Sequence, residues 1–245
     1  MVVELRSSHP LLPMRVVLDR NRGGSYLAAL LVGAGLFSMF LFLTYYFQVN
    51  LGYSPLKSGF AFLPFSAGII VTAGLVSNIL PRTGPKPLMV AGSISATVGL
   101  LLFTLISDTS SWLTHVLPGE LLMSVGLGLV FVPLSNLALV GVADHDAGVA
   151  SAMLNTSQQI GGSLGTALLS TFYASTVTSY LADNVKSPAD VPRLTPLAFI
   201  EGYHVAFYIG AGLLAAAAVV IIVSINARRD DLPTEPPSAL TDLSR

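Results

Sequence analysis

The chain has 245 residues, 53% of them hydrophobic and only 10% charged, with a formal net charge of −1 and no cysteine, and its mean hydropathy is +0.73. An ordinary globular domain is about a quarter charged, so the polar residues here are too few to coat a water-facing surface and lipid must cover much of it. The charge balance offers no basic patch for nucleic acid, and the lack of cysteine excludes a disulfide framework, thiol chemistry and cysteine metal sites.

Segment 1–24 is polar and carries Arg6, Arg15, Arg20 and Arg22. Without a short apolar core followed by a small-residue cleavage site, it reads as a cytoplasmic arm and not as a cleavable signal. A membrane helix needs about 20 apolar residues, and the gaps between charged residues over 25–225 supply six such windows. In the first, at about 25–48, Tyr26, Gly33, Phe37, Phe40, Thr44 and Gln48 share one helical face. Phe37, Phe40, Tyr45, Tyr46 and Phe47 gather aromatics toward its later half. An aromatic wall suits lipophilic or cationic compounds; the alternative is core packing plus an interfacial belt, a role expected of Tyr45 and Tyr46.

The second window, at about 59–80, contains Pro64, expected to kink it, and leads into the tight basic turn "PRTGPKP" at 81–87. The third lies at about 88–106. The fourth, at about 116–140, contains Pro133 and the only acid inside any window, Glu120 near its start. Glu120 has two readings: a site that takes up and releases a proton, or a first-turn carboxylate stabilised by the helix dipole and reaching the headgroups.

The fifth window, at about 147–173, includes "LNTSQQIGGSLG" at 154–165, which composition alone leaves open as loop or helix. On a wheel of about 100° per residue, Gly148, Ala152, Asn155, Gln159, Gly162, Thr166 and Tyr173 fall in a band roughly 80° wide. Met153, Ile160, Leu164 and Leu168 lie opposite, a sorting that a loop has no reason to show. Polar residues at membrane depth usually face a bundle interior or a wet cavity, so Asn155, Gln159 and Thr166 are candidate cavity-lining residues. Gly161, Gly162 and Gly165 are candidates for close helix packing, Gly161 and Gly165 at small-x-x-x-small spacing. The sixth window is at about 204–225. Segment 174–202, with Pro188, Pro192 and Pro196, reads as an external connector, and 226–245 as a disordered cytoplasmic tail.

Charge bias supports six crossings. With six, nine of the twelve basic residues fall on one side and only Lys57, Lys186 and Arg193 on the other, which puts both termini in the cytoplasm. With five, Arg228 and Arg229 would lie outside, against the rule. The spans divide as three plus three, the pattern of inverted repeats in secondary transporters. No catalytic set is legible: His9, His115, His145 and His204 are scattered without metal spacing, and no phosphate loop, nucleophile elbow or paired carboxylates occur. The "DHD" at 144–146 reads as a solvated loop. No enzyme, cofactor or metal is expected.

The stretches "HPLLPMRVVLDRNRGGSYLAALLVGAGLFSMFLFLTYYFQVNLGYSPLKSGFAFLP" at 9–64, "GLGLVFVPLSNLALVGVADHDAGVASAMLNTSQQIGGSLGTAL" at 126–168 and "EGYHVAFYIGAGLLA" at 201–215 resemble the major facilitator superfamily. They most resemble the C-terminal six helices of its fourteen-span drug:proton antiporters. The resemblance implies an all-α integral membrane fold, a six-helix 3+3 inverted-repeat bundle forming one half of the facilitator architecture in the cell membrane. It further implies multidrug efflux in which this half lines one wall of an alternating-access cleft for lipophilic or cationic small molecules exchanged for protons. Asn155, Gln159, Thr166, Gln48, Phe37 and Phe40 would form that wall. Arg82, Gly84 and Lys86 match the superfamily's cytoplasmic loop signature, while Pro81 stands where the acid would be and Ser77 where the first glycine would be, which puts a full gating role in doubt. The family's proton-coupling residues belong largely to its other bundle, so the implied partner is a missing N-terminal half or a second copy. The rival expectation is a truncated, non-transporting membrane protein or an assembly partner of another half-transporter.

Overall fold

The computed structural model describes residues 19–142 and 146–227; the tail beyond Ala227, most of the N-terminal arm and most of the "DHD" segment lie outside the described residues. Helix α1 (Arg20–Tyr45) is capped by Asp19, whose carboxylate accepts a hydrogen bond from the Arg22 amide, and continues as a π-helical turn, Tyr46–Asn50. A short α2 (Pro55–Ala61) breaks at Phe62 before α3 (Leu63–Thr83). Helix α4 (Pro85–Leu102) ends in a 3-10 turn, Phe103–Leu105. A π-helical turn, Trp112–Val116, leads into α5 (Leu117–Leu139). Helix α6 (Ala147–Asn184) and a 3-10 turn, Pro188–Asp190, precede α7 (Val191–Ser224).

Proline marks the starts. Pro55, Pro64, Pro85, Pro118 and Pro192 sit in the first two positions of their helices, where the missing N–H is one that the helix could not have paired. Pro64 therefore opens α3, and the second span is interrupted just before it, at Phe62, as a proline inside that span was expected to cause. The connector expected over 174–202 is helical except for the link around 185–190. Its prolines lie in the turn and first turns of α7, and 174–184 contains no glycine or proline to stop α6. At about 1.5 Å per residue, the 38 residues of α6 extend roughly 57 Å. Five helical segments, 20–50, 55–83, 85–105, 112–139 and 188–224, are long and apolar enough to cross a membrane. Helix α6 is longer than any of these but too polar to qualify by composition.

The six long helices run alternately up and down and pack with partial internal symmetry, α6–α7 packing far more closely than its counterpart α3–α4. Helix α1 packs on α6 and α7, while α5 packs on α3 and α4. Exchanging the triplets α1–α3–α4 and α5–α6–α7 maps the first set of contacts onto the second. The exchange leaves the α4–α7 and α1–α5 contacts in place, as an inverted 3+3 repeat requires.

Glycines set the closest approaches. A methyl at Gly161 would fall on the Leu30 carbonyl, and one at Gly165 would lie 2.6 Å from the Ala34 Cβ, so α1 and α6 run parallel at backbone contact. Their symmetry mates α3 and α5 also run parallel, with Gly68 against Ser124 and Gly128 against Thr72. In lipid, where apolar burial drives little association, such close packing is a main source of helix adhesion.

At one end of the bundle an aromatic core ties α1, α6 and α7 together. Tyr46, Phe42, Tyr203 and Phe207 are fully buried, and the Tyr173 ring stacks on Tyr203 at 5.3 Å and tilts against Phe42 at 5.4 Å. Tyr46 is thus a core residue whose hydroxyl donates to the Ser107 carbonyl at 2.9 Å, not part of an interfacial belt; Tyr45 alone of the pair stays exposed. At the opposite end, basic side chains cap helix C-termini. Lys86 Nζ donates to the Ile222 carbonyl at 2.7 Å, and Arg20 Nη2 to the Val223 carbonyl at 2.6 Å. Cations placed there oppose the negative end of the α7 dipole. Gly84, between α3 and α4, has φ +79° and ψ 168°, a conformation that a side chain disfavours. Arg82, in the last turn of α3, is exposed.

Candidate substrate-facing wall

Helix α6 divides its residues by face. Leu154, Ser157, Gly161, Gly162, Gly165 and Leu169 are buried against the bundle. Asn155 and Gln159 are exposed and Thr166 is half-buried, while Ile160, Leu164, Leu168 and Phe172 form an exposed apolar strip. Hydroxyls that interrupt the apolar faces bond back to their own helix: Ser157 Oγ donates to the Met153 carbonyl and Thr171 Oγ1 to that of Ala167.

Phe37 of α1 lies over Gly162, where an added methyl would meet the ring at 2.6 Å, and both Phe37 and Phe40 are exposed. The other side of Phe40 packs on Phe62 at 5.1 Å and edge-on to Phe65 at 5.3 Å. Gln48 is exposed on the π-helical turn.

These side chains do not all share one site. Because α1 and α6 are parallel with Phe37 beside Gly162, Gln48 sits some eleven residues up and Asn155 seven residues down. By helical rise they stand roughly 27 Å apart. What the structure brings together is a cleft of about 340 Å³ between α5 and α6, where Asn155 meets Ser135, Ser151 and Gln158, with Phe131 and Leu139 among the apolar lining. Gln159, Thr166, Phe37, Phe40 and Gln48 do not line it. Gln158 stands 60° from Asn155 on the wheel, just outside the polar band, and Ser135 is one of two adjacent polar residues in "PLSN" at 133–136; both signals were in the sequence. A second cavity, of about 450 Å³, opens beside Asp19, Asn21 and Arg22, close to the first turn of α1.

Glu120 departs most from expectation. It lies in the first turn of α5, as the dipole reading requires, but its side chain is fully enclosed and does not reach outward. Neither carboxyl oxygen has a hydrogen-bond partner, an arrangement that costs stability.

Residues 3–166 match the Major Facilitator Superfamily model. The chain belongs to the major facilitator superfamily. It is a multi-pass membrane protein from a family of transporters, not of enzymes. It is 43% identical over 232 residues to a puromycin resistance protein of Streptomyces alboniger, covering 94% of this chain and 45% of that one. It is 36% identical to a lincomycin resistance protein of Streptomyces lincolnensis (68% of this chain, 34% of that one). With a cephamycin export protein of Amycolatopsis lactamdurans the identity is 35% (69% and 35%). The chain thus spans less than half the length of these relatives. Among solved structures, a bacterial homologue of the human drug peptide transporters superposes with a TM-score of 0.67 at 15% identity, over 89% of this chain and 45% of that one. That likeness shows the fold, a six-helix half of the facilitator architecture.

Proposed function

We propose that the chain acts as the C-terminal six-helix half of a proton-coupled multidrug efflux permease, one wall of an alternating-access cleft. Helix α6 would cross the bilayer as the sixth span with both termini cytoplasmic, as the distribution of basic residues favours. An N-terminal half, or a second copy, would complete the cleft. The observation that carries this reading is the division of α6: its glycines close on α1 while Asn155 and Gln159 stay exposed and an uncharged polar cleft opens beside Asn155. The names of the relatives, which speak of antibiotic resistance and export, support small-molecule cargo. Phe37, Phe40, Thr166 and Gln48 would extend the wall toward the other end of the bundle. We assign Glu120 to proton uptake, because a buried carboxyl kept without partners is retained at a cost to stability that packing does not explain.

The test is reconstitution of the chain into vesicles, alone and with an N-terminal half from one of the relatives, followed by dye efflux under an imposed pH gradient. The expected result is gradient-dependent efflux that an Asn155→Leu/Gln159→Leu variant loses. Efflux absent in every combination would overturn transport, and undiminished efflux in the variant would overturn the wall assignment.

A further inference from the structure

The cleft between α5 and α6 has a definite hydrogen-bonding character. Its polar lining among the described residues is Ser135, Ser151, Asn155 and Gln158, none of them charged. Two of these groups each have one hydrogen already committed. Ser135 Oγ donates its only proton to the Phe131 carbonyl at 3.0 Å, and Asn155 Nδ2 donates to the Ser151 carbonyl at 3.1 Å. The hydroxyl oxygen of Ser135 and the amide oxygen of Asn155 remain as acceptors and the second Asn155 amide hydrogen as a donor, while Gln158 and Ser151 can adapt to either role. The fixed part of the site therefore offers more acceptors than donors. Among the described residues no carboxylate lines the cleft. Glu120 is fifteen residues from Ser135 on the same helix, roughly 22 Å away, and enclosed.

From this, and resting on the wall assignment made above, we infer that the cleft selects ligands presenting N–H or O–H donors and discriminates against fully N-alkylated cations of the same shape. A ligand with apolar bulk and donor groups satisfies the free oxygens while its rings pack on Phe131. A quaternary or N-methylated analogue desolvates the same oxygens and leaves them unpaired. The selection is therefore by donor groups and not by charge, since no described residue of the lining is ionised.

Rhodamine 123 and tetramethylrhodamine methyl ester test this directly. Both are cationic methyl esters on one xanthene skeleton, and they differ in carrying N–H or N-methyl groups. Equilibrium binding of each dye to the purified full chain in detergent is followed by fluorescence anisotropy, for the native protein and for the Asn155→Leu and Ser135→Ala variants. Helical content by circular dichroism verifies that each variant is folded, and Ser135→Ala is conservative enough to remain so should Asn155→Leu fail. The expected result is about tenfold tighter binding of rhodamine 123, by the cost of an unpaired acceptor, with the preference reduced severalfold in either variant and the affinity for the methylated dye little changed. Equal binding of the two dyes, or a preference that survives both substitutions, overturns the donor selectivity and leaves the wall assignment standing. Binding of neither dye overturns the cleft as a ligand wall, and the selectivity with it.

Discussion

Replacing Gly161 and Gly165 together by alanine puts two methyl groups into the α1–α6 contact. At Gly165 the new carbon would lie 2.6 Å from the Ala34 Cβ and 2.7 Å from its Cα, whereas carbons in contact sit about 3.5–4.0 Å apart. At Gly161 the obstacle is the backbone carbonyl of Leu30, which cannot rotate aside as a side chain could. The helices must therefore separate by about 1 Å along this seam, and overpacking of this kind costs about 1–3 kcal/mol per site. Alanine's better helix propensity returns about 0.5–1 kcal/mol at each position, leaving a net loss of about 0–5 kcal/mol for the pair, about 2–3 kcal/mol at mid-range. For a chain of this size the mid-range loss lowers the midpoint by roughly 4–12 °C. Gly74→Ala and Gly212→Ala are the controls, since a methyl at either meets nothing within 4 Å, and only the propensity gain applies. Thermal unfolding in detergent, followed by far-ultraviolet circular dichroism, separates the cases. A double variant that melts together with the two controls would refute the backbone contact between α1 and α6.

Glu120→Leu replaces two unpartnered buried oxygens with carbon of similar bulk. It should raise stability by about 1–3 kcal/mol while abolishing efflux driven by a pH gradient; a lower melting temperature would show that the carboxyl has partners. Gly84→Ala should cost about 1–3 kcal/mol, because ψ 168° at φ +79° is a region essentially reserved for glycine, and thermal melting in detergent reads it. Lys86→Gln and Arg20→Gln should each cost about 0.3–1 kcal/mol by uncapping the Ile222 and Val223 carbonyls. Their melting shifts should shrink as salt is added, and salt-independent losses would mean that packing, not charge, was removed.

The six long helices were legible because hydrophobic windows between charges report which stretches tolerate lipid. Where the windows ended, the reading was weaker. Residues 174–184 are polar enough to leave the membrane but carry Ala, Thr, Ser and Tyr without a breaker, so α6 continues where hydropathy stops. Pro192 and Pro196 were read as part of a connector, although Pro192 is at home in the first turn of α7 and Pro196 lies inside the helix. The burial of Tyr46 and Glu120 depends on which neighbour each helix face meets, and a wheel drawn for one helix carries no such information. Tyr46 begins a π-helical turn, which rotates the chain out of the regular 3.6-residue register. In the candidate wall, angular sorting located the polar face of α6. It did not find Gln158 and Ser135, because the cleft lies between two helices and the band was drawn on one. Nor could it show that Gln48 and Asn155 lie far apart along their axes.

The chain has no cysteine, so single cysteines introduced along α6 give a scan free of background. Membrane vesicles containing Asn155→Cys, Gln159→Cys, Ile160→Cys, Leu164→Cys or Leu168→Cys would be treated with a water-soluble, charged maleimide. The account predicts labelling at 155 and 159 and protection at 160, 164 and 168, the pattern of a membrane-crossing helix with one wet face. Labelling at all five positions, as in a solvent-exposed loop, would contradict it.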